Sequence, residues 1–327
     1  MKTIPSPSAS SRPATLLGLI SILFWGSSIA VNRVVQDFFG IILGPAVYYC
    51  AGGLLAMGTM ALHPGEIRKL KEVPVSYWIW CGFLFLSYIL ANNLAVGLSA
   101  DRRQVLEVSI LNYLWPALTL LFSIRVFKKK TRWEFYPGVL LALAGVALAL
   151  LARPAGGGAE GTGFSAAGFF NNFRQNPTPY FLGLYCGISW GLYSVLARKF
   201  GGGTHANPVP VLITVSGLFF LAFLPFAPRI PGLEHATQAS VEWSIKSVAA
   251  LFYMTVFVNL LAYVFWDYAM RKGNQTLVAS ASFFTPLLST LAINLILHVT
   301  PGWMFWLACV MVIAGAGLAK WSVREEK

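Results

Sequence analysis

Ten times along this chain an apolar run reaches about 20 residues, the length a helix needs to cross the hydrocarbon core of a bilayer. The runs cover residues 16–35, 41–62, 77–98, 105–127, 133–151, 180–200, 208–226, 245–270, 275–297 and 303–321. Only 11% of the 327 residues are charged and 57% are hydrophobic, with a mean hydropathy of +0.66; soluble domains carry about 25% charged residues. In lipid each segment must satisfy its backbone internally. The chain is therefore expected to be an all-α membrane protein with ten transmembrane helices. The apolar run after Lys2 and Arg12 is longer than the core of a cleaved signal peptide, so it is read as the first span.

The two halves repeat. A shift of 170 carries Pro116 onto Pro286, Trp133 onto Trp303 and Gly145 onto Gly315, laying "NYLWPALTLL" over "SFFTPLLSTL". A shift of 165 lays "ILFWGSSI" over "GISWGLYS", pairing Trp25 with Trp190 and Gly26 with Gly191. The expected units are residues 1–152 and 179–327, joined by a loop over 153–178 rich in Gly, Asn and Pro. Each unit holds an odd number of spans, so the second must enter the membrane from the opposite side. Inverted repeats with proline-interrupted helices at matching places point to a secondary transporter, with its site where the repeats meet.

The formal charge of +12 does not indicate nucleic acid, because the cations sit in short clusters between apolar runs instead of on one folded face. With the N-terminus in the cytoplasm, all but seven of the 24 Lys and Arg fall on that side; the exceptions are Arg33, Arg102, Arg103, Arg153, Arg174, Arg229 and Lys246. This bias places both termini inside. Cysteines introduced at Lys129 and Gly157 are expected to label from opposite sides of the membrane with an impermeant thiol reagent, and labelling of both from one side would overturn the ten-span order.

Polar residues recur on single helical faces. The fourth segment carries Asn112, Pro116, Thr119 and Ser123, with Trp115 beside the proline; the ninth carries Ser282, Pro286 and Ser289. A proline within a span frees a backbone carbonyl, which lipid tolerates only where that backbone faces protein or a water-filled cavity. The first segment offers Ser21, Trp25, Ser28 and Asn32; the third Phe85, Tyr88 and Asn92; the sixth Cys186, Trp190 and Tyr193; the eighth Asn259, Tyr263 and Trp266. Aromatic rings with amides on the same face suit a central cavity that binds ring-bearing or apolar side chains. Plain core packing is the competing reading for each ring. Tyr77, Trp78, Trp133, Trp303 and Trp321 sit at segment ends as interface anchors.

Other chemistries lack their residues. Cys50, Cys81, Cys186 and Cys309 fall inside apolar runs without C-x-x-C spacing, as small buried hydrophobes. Gly187, Ser189 and Gly191 match G-x-S-x-G inside a span, not at the strand-to-helix turn a nucleophile elbow needs. Gly156, Gly158 and Gly161 match a phosphate-loop pattern without its strand and helix. No catalytic dyad, metal set or cofactor site is expected, and no span centre carries an ionisable group. Glu107 and Asp267 lie within about two turns, roughly 10 Å, of a helix end, where water is expected to reach them. A membrane enzyme is thereby disfavoured. So is a carrier of sugar phosphates, which would place Lys or Arg deep in the bundle.

The blocks "EVSILNYLWPALTLLFSI", "KTRWEFYPGVLLALAGV", "NNFRQNPTPYFLGLYCGISWGLYSV" and "SFFTPLLSTLAI" resemble the EamA-type members of the drug/metabolite transporter superfamily, and within it the aromatic amino acid exporters of bacterial inner membranes. The resemblance runs through nearly the whole chain. It implies a bundle around a central cavity that exports aromatic and other bulky neutral amino acids by alternating access, with the bilayer and a small-molecule substrate as partners. Export of another small metabolite or drug is the alternative. A monomer is compatible with these features, which do not fix the oligomeric state.

Overall fold

The computed structural model describes residues 11–128, 131–151, 166–201, 206–230, 233, 243–272, 277–278 and 281–322. The glycine-rich stretch around Gly157, both chain ends, Lys129, Lys130, His205, His235, Gln275 and the side chain of Asp267 lie outside the described residues. What is described is helical, with no strand. In chain order the helices are α1 (Ser11–Phe39), α2 (Leu43–Ala61), α3 (Gly82–Gly97, after a π turn over Tyr77–Cys81), α4a (Arg102–Asn112), α4b (Trp115–Phe127) and α5 (Phe135–Leu151). The second half supplies α6 (Thr178–Gly201), α7 (Val209–Phe223), α8 (Ile245–Phe252, continuing as a π stretch Tyr253–Leu261 and then Ala262–Lys272), α9 (Thr285–Leu297) and α10 (Trp303–Ser322). Each expected segment is thus matched by helix. Among the described residues five stretches are long and apolar enough to span alone, and α2 passes the same test only together with a short helix after it that bends away by 104°. α5, α7, α9 and α10 are shorter apolar helices.

Polarity is distributed as lipid demands. Leu54, Leu140 and Phe181 are each more than 60% exposed, whereas Asn32, Asn93, Glu107, Asn112 and Asn259 are at most 4% exposed. Apolar side chains outside and amides inside reverse the usual pattern of a soluble domain.

The prolines act differently from a mid-helix kink. Helix α4 stops at Asn112 and restarts at Trp115, so Pro116 occupies the first turn of a new helix, where its missing N–H is no loss. Its counterpart Pro286 also stands in the first turn of α9, behind a 3₁₀ turn over Ser282–Phe284. Each proline leaves the carbonyl four residues back without its helical donor. At Ser282 that oxygen accepts from the Thr285 hydroxyl at 2.5 Å. The Asn112 oxygen instead lies against another helix: a methyl on Gly187 of α6 would stand 2.9 Å from the Leu111 oxygen and 3.3 Å from the Asn112 oxygen, so a glycine there lets two backbones meet.

The repeat extends to the backbone and to the packing. α4b ends at Lys128 (φ 50°) and α9 at His298 (φ 57°), two left-handed caps 170 residues apart. Such caps favour glycine. Lys128→Gly and His298→Gly are each expected to stabilise the protein by about 1 kcal/mol, read as a rise in the melting temperature in detergent; an unchanged or lower midpoint would contradict the strain. Helix α1 packs along α8 and α9, and α6 packs along α3 and α4, while α2 lies against α7 and α5 against α10. Gly26 meets the Leu288 side chain just as Gly191 meets that of Leu118, a pair of contacts related by the same two shifts.

The connection between halves is not all loop. Ala166–Gln175 forms a helix, and Phe173 packs on Tyr180 and Phe181 at ring separations of 5.6 and 5.5 Å. The amphipathic spacing of Phe170 and Phe173 supplies a face for this helix that glycine and asparagine counts conceal. At the same end, Arg33 bonds Asp37 at 2.9 Å and donates to the Val96 and Ser99 oxygens, and Arg102 donates to the Leu297 oxygen.

Candidate functional site

A chain of rings crosses the middle of the bundle. Trp25 of α1 lies 5.2 Å from Tyr263 and 5.1 Å from Trp266, both on α8. Tyr263 lies 6.4 Å from Phe85 on α3, which in turn lies 6.0 Å from Trp190 and 5.4 Å from Tyr193 on α6. Tyr88 stands 4.7 Å from Trp190, and the Tyr193 hydroxyl 3.4 Å from that of Tyr77. Trp25 and Trp190, the pair that the 165 shift relates, thus sit in one chain of rings fed by both halves. All except Phe85, Tyr77 and Tyr193 are only half-buried. Edge-on and offset ring pairs of this kind each contribute about 0.5–1.5 kcal/mol beyond their buried area.

Amides form a second group. The Tyr48 hydroxyl of α2 stands 3.0 Å from Asn32 Oδ1 and 2.7 Å from Asn93 Oδ1, and its single hydrogen serves one of them at a time. Gln36 Nε2 donates to the Asn93 carbonyl at 2.9 Å. Asn112, at the break in α4, approaches Asn92 of α3 at 3.5 Å. Asn32 Nδ2, Gln36 Oε1 and Asn112 Oδ1 are buried without a partner. An unmet polar group of this kind costs about 1–3 kcal/mol. Three such groups, two on α1 and one at the break in α4, need an explanation.

Four expected residues sit apart from these groups. Asn259 donates to the Met254 carbonyl five residues back, serving the π stretch of α8 and packing beside Gly52. Trp115 is half-buried at the first position of α4b, against the core but outside the chain of rings. Pro116 and Pro286 are buried helix starters. Glu107 is a correction: instead of meeting water it is 2% exposed, accepting from the Tyr180 hydroxyl and lying 3.2 Å from Arg103 Nε. Its helix end is wet by sequence, but α6 covers it. Among the described residues the four cysteines are free, with Cys81, Cys186 and Cys309 buried, and no group of three His, Cys, Asp or Glu converges as a metal would require.

Sequence reasoning passed over Gln36, Tyr48 and Asn93. Gln36 continues the Ser28, Asn32 spacing by one more turn, and ending the first segment at residue 35 hid it. Asn93 was masked by its neighbour: Asn92 shares a face with Tyr88, yet Asn93 is the one fully buried.

The model of the EamA-like transporter family matches the chain twice, over residues 12–151 and 177–320. The aromatic amino acid exporter YddG of Escherichia coli is 32% identical over 96% of this chain and 99% of its own length, and that of Salmonella typhimurium is 32% identical over the same shares. YddG of Ancylobacter novellus is 26% identical over 95% and 98%. A solved crystal structure aligns with a TM-score of 0.62 at 24% identity, covering 95% of this chain and 98% of that one, which concerns the fold alone. Two matched units, an all-helical bundle whose chain of rings draws on both, and full-length likeness to named transporters together place this multi-pass membrane chain in the EamA-like transporter family.

Proposed function

We propose that the chain exports aromatic and other bulky neutral amino acids across the bacterial inner membrane by alternating access, its two repeats, 1–152 and 179–327, moving against each other with both termini in the cytoplasm. One observation carries this reading: the ring chain from Trp266 through Trp25, Tyr263 and Phe85 to Trp190 spans the junction of the repeats, with unmet amides beside it. Rings offer faces and edges to a planar side chain. Amides without fixed charge suit a zwitterion. The names of the YddG relatives agree with that substrate class.

Counterflow of radiolabelled phenylalanine in proteoliposomes tests it. Uptake into vesicles preloaded with phenylalanine and not into empty ones is expected; no counterflow would remove the substrate class and leave another metabolite or drug of the same family's range. Trp25→Ala and Trp190→Ala each lose ring pairs worth about 1–2 kcal/mol and should raise the half-saturating concentration about tenfold while leaving folded protein in the membrane. Variants that transport like the parent would make the rings mere packing.

A further inference from the structure

The rings and the amides occupy different depths. On α1, Asn32 and Gln36 follow Trp25 by seven and eleven residues, an axial rise of about 10 and 16 Å. On α3, Asn92 and Asn93 follow Phe85 and Tyr88 by four to eight residues, about 6 to 12 Å. The two helices run side by side in the same direction, since Tyr263 bridges Trp25 to Phe85 at one level and Gln36 reaches Asn93 at the next. Rings therefore form one layer and amides another, nearer the end where Arg33 and Arg102 are tied. The offset is comparable with the length of an aromatic amino acid.

The amide layer is short of donors. Asn32 Oδ1 and Asn93 Oδ1 share one hydroxyl hydrogen from Tyr48, Asn93 Oδ1 also lies 3.4 Å from Gln36 Nε2, and Gln36 Oε1 and Asn112 Oδ1 have no donor. An ammonium brings three donors. Asn32 Nδ2, buried and unpaired, is a donor placed for a carboxylate. An amide's two ends are interchangeable by rotation, so each of these side chains can serve either half of a zwitterion.

Resting on the proposed export of aromatic amino acids, we infer that the substrate sits lengthwise, its ring in the Trp25–Phe85–Trp190 layer and its ammonium and carboxylate in the layer of Asn32, Gln36, Asn93 and Asn112, so that with both termini inside it leaves head group first. Gln36, Asn93 and Tyr48 become specificity-determining residues. Selectivity for the head group and selectivity for the ring reside in separate sets of side chains.

Competition against phenylalanine counterflow tests this. With the parent protein, 3-phenylpropionate, which lacks the ammonium, and phenethylamine, which lacks the carboxylate, are expected to compete at least tenfold more weakly than tyrosine. Gln36→Met and Asn32→Leu should raise the half-saturating concentration of phenylalanine about tenfold and narrow its advantage over both analogues, with the preference for phenylalanine over alanine kept. Trp190→Leu should do the reverse, lowering the preference for phenylalanine over alanine while the analogues stay excluded. Analogues that compete as well as tyrosine in the parent, a comparison that needs no variant, would overturn the inference, as would Gln36→Met altering ring preference alone. If phenylalanine counterflow is absent altogether, the underlying export reading has failed instead.

Discussion

Gly187→Val is expected to leave little or no folded protein, whereas Gly317→Ala behaves as the parent. A first carbon at position 187 would stand 2.9 Å from the Leu111 oxygen and 3.3 Å from the Asn112 oxygen, and these are backbone atoms that no rotamer change can move. Valine adds two further methyls where the helices already touch. Overpacking alone costs about 1–3 kcal/mol. Separating α6 from α4 adds the exposure of the Asn112 carbonyl, which Pro116 has left without its helical donor, and an unmet backbone group in lipid costs several kcal/mol more. The total approaches the 5–15 kcal/mol that holds a typical protein folded. At Gly317 nothing lies within 4 Å, so a methyl there meets open space. Size-exclusion profiles and melting midpoints in detergent decide it. A Gly187→Val protein that elutes as one sharp peak and melts with the parent would show that the two helices are not held at backbone distance.

Much of this was legible in the sequence because lipid leaves the backbone few options. The repeat marked by Pro116 and Pro286 proved to govern helix starts, left-handed caps at Lys128 and His298, and the paired contacts of Gly26 and Gly191. The faces that carry Trp25, Tyr88, Trp190, Tyr193, Tyr263 and Trp266 converge in one chain of rings, because 3.6-residue periodicity fixes which residues share a face. What a face cannot tell is which neighbour covers it. Asn259 shares its face with Tyr263 but bonds its own π-helical carbonyl, and a local change of helical pitch leaves no mark in hydropathy. Tyr48 gave no signal because α2 bears no polar stripe; it matters only through Asn32 and Asn93 on other helices. The two proline sites look alike in sequence, yet one freed carbonyl accepts from Thr285 close by in the chain, while the other lies against the backbone of Gly187, more than 70 residues away.

Glu107 gives the second large effect: Glu107→Leu is expected to destabilise the bundle by about 3 kcal/mol, and Glu107→Gln by about 1 kcal/mol, without either change making transport respond differently to pH. Each carboxylate oxygen has a partner, Oε2 accepting from the Tyr180 hydroxyl and Oε1 lying 3.2 Å from Arg103 Nε. The first of these ties α4a to α6 just ahead of the break that Gly187 packs against. Arg103 keeps a third of its side chain in solvent, so its attraction is screened and most of the loss comes from removing the carboxylate to which the buried Tyr180 hydroxyl donates. Glutamine keeps an oxygen for that hydroxyl, and leucine keeps none. A carboxylate committed to bracing two helices is poorly placed to exchange its proton for substrate, which requires it to be released on every cycle. Export is therefore expected to follow the substrate's own gradient. Proteoliposomes loaded with phenylalanine should empty at the same rate with and without an imposed pH gradient, in the parent and in Glu107→Gln alike. Accumulation against the substrate gradient that collapses with a protonophore and disappears in Glu107→Gln would make Glu107 a proton carrier and the brace secondary.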